Sequence, residues 1–332
     1  MKGIVLNREL ENKIELKSLN SLIPGPGEVK IQIKAAALNH RDEWCRQGLY
    51  PNLKNGVVLG SDGAGVISEL GAGVSGLEVG QEVIINPALN WGQNQKVQSK
   101  DFQILGMPGN GTLAEELLVA ADRVHPKPSH LTFESAAALP LAGLTAFRAL
   151  TYQGSCQSGE KVLITGFGGG VAQFAAQFAI GLQAEVYVSS SSEDKIQKAL
   201  DLGVKAGFNY KNENWTDQAL EQAGGFDLII DGAAGDSLND LIKVANPGGR
   251  IVFYGATLGN PGKLEARRIF WNQLKIMGST MGSDQDFEQM LAFVNEKFIE
   301  PIVDQVFSFE KAVEAFDRMK AGKQMGKIVL KP

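Results

Sequence analysis

Cysteine and histidine are scarce in this sequence, which limits the sites it can build. The 332 residues include two cysteines, Cys45 and Cys156, and three histidines, His40, His125 and His130. Two cysteines are too few for a disulfide framework, and such usage is typical of cytoplasmic proteins. The histidines are not spaced as metal ligands. The local motifs therefore predict no metal site.

Blocks of basic residues and long apolar runs are also missing. A net charge of −5 without a basic cluster argues against nucleic acid or an anionic membrane as a partner. The longest stretch of low polarity, Ala136 to Phe147, is too short to span a bilayer and contains Pro140. No basic-then-apolar segment marks a signal peptide. We therefore expect a cytoplasmic globular protein without nucleic-acid or membrane partners.

Glycine, in contrast, is abundant, and four glycines fall in one short turn. The turn follows the apolar run 162–164 and contains Gly166, Gly168, Gly169 and Gly170. A helical pattern starts at Val171, and a second apolar run follows, which is the βαβ pattern of a nucleotide-binding unit. The spacing from Gly166 through Gly169 to Ala172 is a variant of the dinucleotide fingerprint. The alternative is a glycine turn that binds nothing, but the flanking elements favour a cofactor.

The end of the second apolar run predicts which dinucleotide binds. An NAD site usually has a carboxylate there to bind the ribose 2′-hydroxyl. This chain has four serines, residues 189–192, followed by Lys195. Hydroxyls and an ammonium suit a 2′-phosphate, so the sequence favours NADP(H). The serines could instead cap the next helix, and Glu193 keeps NAD(H) as an alternative.

The order of apolar patterns predicts two domains. Residues 1–125 are rich in short strands punctuated by glycine, which suggests a small irregular β-barrel. Residues 126–282 alternate strands with helices, which favours a six-stranded parallel sheet in doubly wound order. Residues 283–332 contain two amphipathic helices and a strand at Lys327–Leu330 that is expected to return to the first domain.

These features resemble the medium-chain dehydrogenase/reductase superfamily, in its zinc-independent quinone-oxidoreductase-like branch. The matching segments are the glycine turn, Ala37–Pro51, Leu59–Val83 and Ala136–Leu150. The resemblance implies an α/β fold with a GroES-like irregular β-barrel catalytic domain (1–125, completed by 283–332) and a Rossmann doubly wound parallel sheet (126–282). It also implies hydride transfer at C4 of a nicotinamide in a cleft between the domains, and a homodimer.

The same resemblance implies that a catalytic zinc is absent. Zinc-containing relatives hold the metal with a cysteine, a histidine and a second cysteine, at positions that correspond here to Asn39, Ser61 and Leu141. Asp62 remains where relatives keep an acidic residue, but one carboxylate cannot make a site. The loop 86–111 has no cysteines for a structural zinc. The expected cofactor set is NADP(H) without zinc.

Cofactor and catalytic residues also follow from the resemblance. It places Asn39 and Asp42 at the nicotinamide end, and Thr145 near the carboxamide. The 2′-phosphate would contact Ser190, Lys195 and Tyr210. The cofactor set is completed by Gly255 and by the residues of the turn, Gly166, Gly168, Gly169, Gly170 and Val171.

Candidate catalytic residues are Asn39, Asp42 and Tyr50, which supply an amide, an orienting carboxylate and a phenol. The alternative for Asn39 and Asp42 is capping of a helix over residues 39–47. The alternative for Tyr50 is an aromatic side chain that only packs.

Lack of a metal narrows the reaction class. Zinc polarises an alcohol or carbonyl oxygen, whereas quinones and α,β-unsaturated carbonyls delocalise the arriving negative charge themselves. The main hypothesis is therefore reduction of a quinone or enone by NADPH. One alternative is an enoyl-thioester reductase, whose long carrier would need basic groups; the candidates, which the sequence does not place, are Arg41, Arg46, Arg267 and Arg268. Another is a NADPH-binding sensor or structural protein with negligible turnover.

Overall fold

The computed structural model describes all residues from 1 to 332 and divides them into two compact units. The first unit comprises Met1–Ala142 and Ser283–Pro332, and the second comprises Gly143–Gly282. The sequence pattern assigns residues 126–142 to the nucleotide-binding domain, whereas the structure includes them in the first unit. The reason is that the helix Phe133–Ala138 packs against two long strands of that unit.

The elements of the first unit up to residue 138 are β1 (Lys2–Leu6), β2 (Ile14–Ser18), β3 (Glu28–Ala37), α1 (His40–Gln47), β4 (Asp62–Leu70), β5 (Glu82–Ile85), β6 (Ala88–Leu89), β7 (Gln103–Ile104), β8 (Glu116–Ala120), β9 (Val124–Pro126) and α2 (Phe133–Ala138). The next elements, across the boundary and through the second unit, are α3 (Pro140–Arg148), β10 (Lys161–Ile164), α4 (Gly170–Gly181), β11 (Glu185–Ser190), α5 (Glu193–Asp201), β12 (Ala206–Asn209), α6 (Trp215–Ala223), β13 (Phe226–Asp231), α7 (Leu238–Val244), β14 (Ala245–Phe253), α8 (Ala266–Trp271) and β15 (Lys275–Gly278). The chain ends with α9 (Asp284–Lys297), β16 (Val303–Ser308), α10 (Ala312–Lys320) and β17 (Lys327–Lys331). Short 3-10 or π turns lie at Ala121–Arg123, Ala149–Gln153, Gly235–Ser237 and Phe309–Lys311.

The main sheet of the first unit has seven strands. Its order is β16-β17-β3-β4-β5-β9, with β8 also paired to β3. The inward residues of β3 alternate along the strand, and Val29, Ile31 and Ile33 are buried, as expected where one sheet face covers a core. β17 pairs antiparallel with β3, with Val329 opposite Ala37. The predicted return of the last strand to the first domain is confirmed.

Helix α1 follows β3 directly and shows how the sequence positions the site. Asn39 is its N-cap, and Asp42 and Glu43 stand in the first turn, where they complement the positive end of the helix dipole. Gly48 ends the helix with φ of 83°, a conformation that favours glycine. The helix buries its polar residues Arg41 and Asp42, so these side chains must find partners inside the unit.

The second unit is built on a six-stranded parallel sheet. Its order, β12-β11-β10-β13-β14-β15, confirms the predicted doubly wound arrangement. The central strand β10 is apolar on both faces, since helices cover both sides of such a sheet; its residues 162–164 are fully buried. Strand order reverses between β10 and β13, and the carboxyl ends at this switch point are where such sheets bind ligands.

Each unit contains its own hydrophobic core. The core of the first unit includes Ile31, Ile85, Leu117 and Phe316, and a core cluster of the second surrounds Leu163. The longest helix, α9, has 14 residues, and no helix is both long and apolar enough to cross a membrane.

Candidate active site and cofactor site

The glycine turn between β10 and α4 presents bare backbone. Gly166 has φ of 63° and Gly168 has φ of 122°, conformations that L side chains rarely adopt. A Cβ atom at Gly166 would meet nothing within 4 Å, and one at Gly169 would meet only the Gly166 carbonyl oxygen at 3.6 Å. Gly169 is the N-cap of α4, and no side chain caps the first turn. These open N–H groups at a helix N-terminus fit a pyrophosphate.

Lys195 lies against the same turn. A Cβ atom at Gly168 would fall 2.5 Å from Lys195 Cδ and 3.0 Å from Lys195 Nζ. Glycine at 168 is favoured by its backbone conformation, whereas the flexible end of the lysine side chain could move to make room for a Cβ atom. Helix α5 brings a primary amine to the edge of the predicted phosphate site, as the sequence pattern suggests.

Ser190 and Tyr210 meet at the neighbouring carboxyl ends of β11 and β12. The Tyr210 backbone N–H donates to the Ser190 carbonyl oxygen at 3.1 Å, and the phenol is 46% exposed. The Ser190 hydroxyl is buried and donates to the Phe167 carbonyl oxygen at 2.7 Å, so this hydroxyl can only accept from a ligand. Glu193, the residue that keeps NAD(H) as an alternative, accepts from Asn209 Nδ2 at 2.7 Å.

A buried carboxylate that the sequence analysis missed organises the switch point. Asp231, at the end of β13, accepts from Thr165 Oγ1 at 2.5 Å and from the Ala234 backbone N–H at 2.7 Å. Ala234 has φ of 52°. Asp231 thus ties the end of β10 to the loop after β13. A polar residue at the end of an otherwise apolar strand was the available signal.

Gly255 follows β14 at the same edge of the sheet. A Cβ atom there would come within 2.9 Å of the Gly232 carbonyl oxygen, so glycine permits close approach of the two loops. Tyr254 lies beside them, and burial, followed by the charge of Asp231, raises the pKa of its phenol. In the same unit the hydroxyl of Thr145, which is 5% exposed, points at Met281 Sδ across 3.8 Å.

The first unit contains a buried cluster of three polar side chains at the N-cap of α1. Lys327 Nζ, at the start of β17, donates to Asn39 Oδ1 at 2.6 Å and to Asp62 Oδ2 at 2.8 Å. Asn39 Nδ2 donates to the same Asp62 oxygen at 2.9 Å. Asp62 Oδ1 accepts from the Leu141 backbone N–H at 2.8 Å. All three side chains are at least nine-tenths buried, so each depends on the other two.

Asp42 interacts with its own helix. Its Oδ2 accepts from the Asn39 backbone N–H at 2.8 Å, which is the arrangement of a capping box. Its Oδ1 is buried without a hydrogen-bond partner, and Arg41 Nη1 lies 4.0 Å away. Burial raises the pKa of this carboxyl, against the opposing charge of Arg41. The capping alternative for Asn39 and Asp42 is therefore seen in the structure.

Arg41 is inside the first unit rather than at its surface. Its guanidinium donates to the Leu105 carbonyl oxygen at 2.7 Å, to the Ser61 hydroxyl, and to Tyr50 Oη at 3.3 Å. The guanidinium carbon also lies 4.7 Å from the centre of the Tyr50 ring. Tyr50 is half-buried and packs against the core. Its hydroxyl accepts from Arg41 and retains its own proton as a donor.

Two arginines named for a thioester carrier are thus unavailable to it. Arg41 is 5% exposed and Arg46 is 7% exposed, and Arg46 is paired with Glu43 and Asp317. Arg267 and Arg268 are exposed on α8 of the second unit. Both arginines were expected at the surface because the buried face of α1 is polar, and a hydrophobic pattern predicts burial only for apolar residues.

The residues at the metal positions of zinc-containing relatives do not fit a metal. They supply an amide from Asn39, a hydroxyl from Ser61 that donates to the Leu105 carbonyl oxygen, and a leucine at 141. The Lys327 ammonium contacts the one carboxylate. Nowhere in residues 1–332 do three or more histidine, cysteine, aspartate or glutamate side chains form a group that could hold a metal ion.

Two family models match the chain. The model described as alcohol dehydrogenase GroES-like domain matches residues 25–129, and the model described as zinc-binding dehydrogenase matches residues 170–296. Among solved structures, one described as an NAD-dependent alcohol dehydrogenase is 36% identical, with a TM-score of 0.94 over 100% of both chains. These matches confirm that the chain contains a GroES-like domain and a Rossmann sheet.

Curated relatives carry several activities in their names. A zinc-type alcohol dehydrogenase-like protein of Leptosphaeria maculans is 34% identical over 96% of this chain and 94% of its own. An acryloyl-coenzyme A reductase of Sulfurisphaera tokodaii is 30% identical over 93% of each chain. A quinone oxidoreductase of Mus musculus is 28% identical over 93% of this chain and 90% of its own. With its two domain types and these relatives, the chain belongs to the medium-chain dehydrogenase/reductase superfamily, an oxidoreductase family with a nicotinamide cofactor.

Proposed function

We propose that this protein reduces a quinone or an α,β-unsaturated carbonyl with NADPH and without a metal. The observation that carries the proposal is the Lys327 ammonium, buried in hydrogen-bonding contact with Asn39 and Asp62. A zinc ion would have to displace this cation, and no group of three or more histidine, cysteine, aspartate or glutamate side chains is there to hold it. Without a Lewis acid, acceptors that delocalise negative charge are the substrates that need least help.

Preference for NADPH is supported by two residues near the glycine turn. Lys195 lies on the glycine turn, and the last residue of β11 is Ser190 rather than a carboxylate. A carboxylate would repel a 2′-phosphate, whereas an ammonium attracts it. The solved structure described as an NAD-dependent alcohol dehydrogenase makes NADH the competing cofactor, so both must be titrated.

The glycine turn and Lys195 would hold the cofactor, which when bound would supply hydride to the β-carbon of an enone or to a quinone. Negative charge then develops on the substrate oxygen, and protein hydrogen bonds stabilise it. Asn39 can donate an N–H, and Tyr50 can donate its phenol proton. Asp42 orients the start of α1 through the Asn39 backbone N–H. The main contribution of the chain is to position the acceptor and its oxygen.

An enoyl-thioester reductase is the second candidate, favoured by the relative named acryloyl-coenzyme A reductase. Hydride addition to an enoyl thioester has the same electronic demand as addition to an enone. Binding of the carrier phosphates would need cations other than Arg41 and Arg46, which are buried and engaged. Competition by the free thiol carrier separates the two candidates, because only a thioester reductase would be inhibited.

We also propose a homodimer formed through the second unit. β15 is an edge strand of the parallel sheet, and α8 beside it exposes Phe270 and Trp271 by 67% and 81%. Exposed aromatic side chains next to an unpaired strand edge are typical of an association surface. Light scattering of the purified protein tests this: a Trp271→Glu variant should shift a dimer towards monomer.

The decisive test is NADPH oxidation measured across quinones, short enones and enoyl thioesters, with metal content assayed on the same sample. Rapid turnover of a quinone or enone by metal-free protein supports the proposal. Brisk oxidation of simple alcohols overturns it. Tight NADPH binding without turnover of any acceptor would favour a sensor or structural role instead.

A further inference from the structure

In the cluster of Lys327, Asn39 and Asp62, the two charged neighbours determine which way the Asn39 amide is oriented. An ammonium can only donate hydrogen bonds, so the atom of Asn39 that faces Lys327 Nζ must be the amide oxygen. A carboxylate can only accept, so the atom that faces Asp62 Oδ2 must be the amide nitrogen. The orientation of the Asn39 amide is therefore determined by its two charged neighbours.

This orientation leaves one N–H of Asn39 without a partner. Nδ2 carries two hydrogens, and a single hydrogen bond, to Asp62, uses one of them. The two N–H bonds of an amide diverge, so the second points away from the carboxylate. Asn39 is 7% exposed, so its amide is largely shielded from bulk water. A preoriented, poorly solvated donor is what stabilises a developing oxyanion.

The charged groups around Asn39 form two pairs of opposite sign. Lys327 and Asp62 neutralise one another at 2.8 Å. Arg41 adds a second buried cation, and the acceptors that its guanidinium contacts are the neutral oxygens of Ser61, Leu105, Ile104 and Tyr50. Its nearest carboxylate oxygen, on Asp42, is 4.0 Å away. Asp42 also accepts from the Asn39 backbone N–H, so the four charges balance, and the group available to a developing oxyanion is the Asn39 amide itself.

We propose that Lys327 is a positioning residue of the reductase: its ammonium holds the Asn39 amide so that the free N–H receives the substrate oxygen on which negative charge develops. This inference rests on the proposed function and adds to it the residue that performs part of the task of a metal. The hydride adds to carbon, the electron pair moves to oxygen, and the enolate or phenolate oxygen then takes a proton from solvent. No bond to Lys327 forms or breaks.

Two substitutions at Lys327 test the inference. Lys327→Met removes the donor and its charge while keeping the length of the side chain, and Lys327→Gln keeps a neutral donor for the Asn39 oxygen. Because loss of one oriented oxyanion donor costs about 10²- to 10³-fold in rate, we expect kcat to fall about 100-fold in Lys327→Met and less in Lys327→Gln. Lys331→Met, at the exposed end of the same strand, is the matched control and should keep its kcat.

The readout that separates positioning from a structural role is the dependence of kcat on acceptor electronics. A series of para-substituted aryl enones varies the stability of the enolate at nearly constant size. When the protein no longer stabilises the oxygen, poor acceptors should lose more rate than good ones, so the slope of log kcat against substituent constant becomes steeper in Lys327→Met. The Kd for NADPH and the melting temperature of Lys327→Gln report whether the fold is retained.

The outcomes are distinguishable. A kcat within threefold of the unmodified protein in both variants, or an equal loss for every acceptor, would overturn the role of Lys327 and leave the reductase proposal intact. Failure of the unmodified protein to turn over any quinone or enone would overturn the proposed function and this inference with it. A steeper slope with unchanged NADPH affinity supports the inference.

Discussion

Replacing Lys195 by methionine should weaken NADPH and leave NADH almost untouched. The side chain lies across the glycine turn, with Nζ 3.0 Å from the position of a Cβ atom on Gly168. An ammonium there can make a charge-assisted hydrogen bond to a 2′-phosphate, whereas NADH has a hydroxyl at that point. Methionine keeps the packing against Gly168 and removes only the charge and the donor.

The expected magnitude follows from the strength of hydrogen bonds to charged groups. Such a bond contributes about 1.5–3 kcal/mol, and each 1.4 kcal/mol is tenfold in affinity. We therefore expect the Kd for NADPH to rise about 10- to 150-fold, and the Kd for NADH to change by less than about twofold. Added salt should reduce the difference, because it screens the attraction at this partly exposed site.

Fluorescence titration of both nucleotides at two salt concentrations provides the measurement. Lys198→Met is the matched control, since this exposed lysine lies on the same helix, one turn further along. Equal weakening of NADPH and NADH in Lys195→Met would refute the assignment of the 2′-phosphate. Stronger binding of NADH than NADPH by the unmodified protein would refute it as well.

Three further predictions concern the turn, the helix cap and the thiol. Gly169→Ala should keep its melting temperature, because its Cβ atom would meet only a carbonyl oxygen at 3.6 Å, yet it should bind NADPH weakly. Gly168→Ala, at φ of 122°, should instead lose about 1–3 kcal/mol of unfolding free energy in denaturant titration. Burial raises the pKa of Asp42, so the folded state binds more protons than the unfolded state above about pH 4. The Asp42→Asn variant should therefore be more stable than the unmodified protein in urea titrations, by a margin that grows between pH 4 and 7. A margin that shrinks as the pH rises would contradict this. Burial, followed by the charge of Asp42, raises the pKa of the Cys45 thiol to about 12. Mass spectrometry should therefore find no alkylation of Cys45 in native protein at pH 8. Stoichiometric labelling would contradict this and show that the thiol is accessible.

Much of the fold follows from local patterns in the sequence. Three elements could be predicted without tertiary information: the glycine turn, the alternating strand β3 and the apolar strand β10. Each has a pattern of glycine or apolar residues that is visible among neighbours in the sequence. The position of the domain boundary does not follow in this way. Helix α2 has a clear N-cap at Thr132, but only tertiary packing shows that it belongs to the first unit.

Some of the candidate site residues were predictable from the sequence, and others were not. The glycine turn and Lys195 lie in one continuous segment of the second unit, so their spacing is visible in the sequence. Lys327 was missed because it is separated from Asn39 by 288 positions and from Asp62 by 265. A signal was present: a lysine begins the apolar run Ile328–Leu330, and a cation at a buried strand position needs an anionic partner.

The proposed metal-free reduction requires that the Lys327 ammonium, rather than zinc, occupies the cluster with Asn39 and Asp62. Purified protein is dialysed against a chelator, its zinc is quantified by mass spectrometry, and NADPH oxidation with an enone is followed on the same sample. We expect far less than one zinc per chain and full turnover. Stoichiometric zinc that survives dialysis, or activity that disappears with the chelator and returns with added zinc, would contradict it.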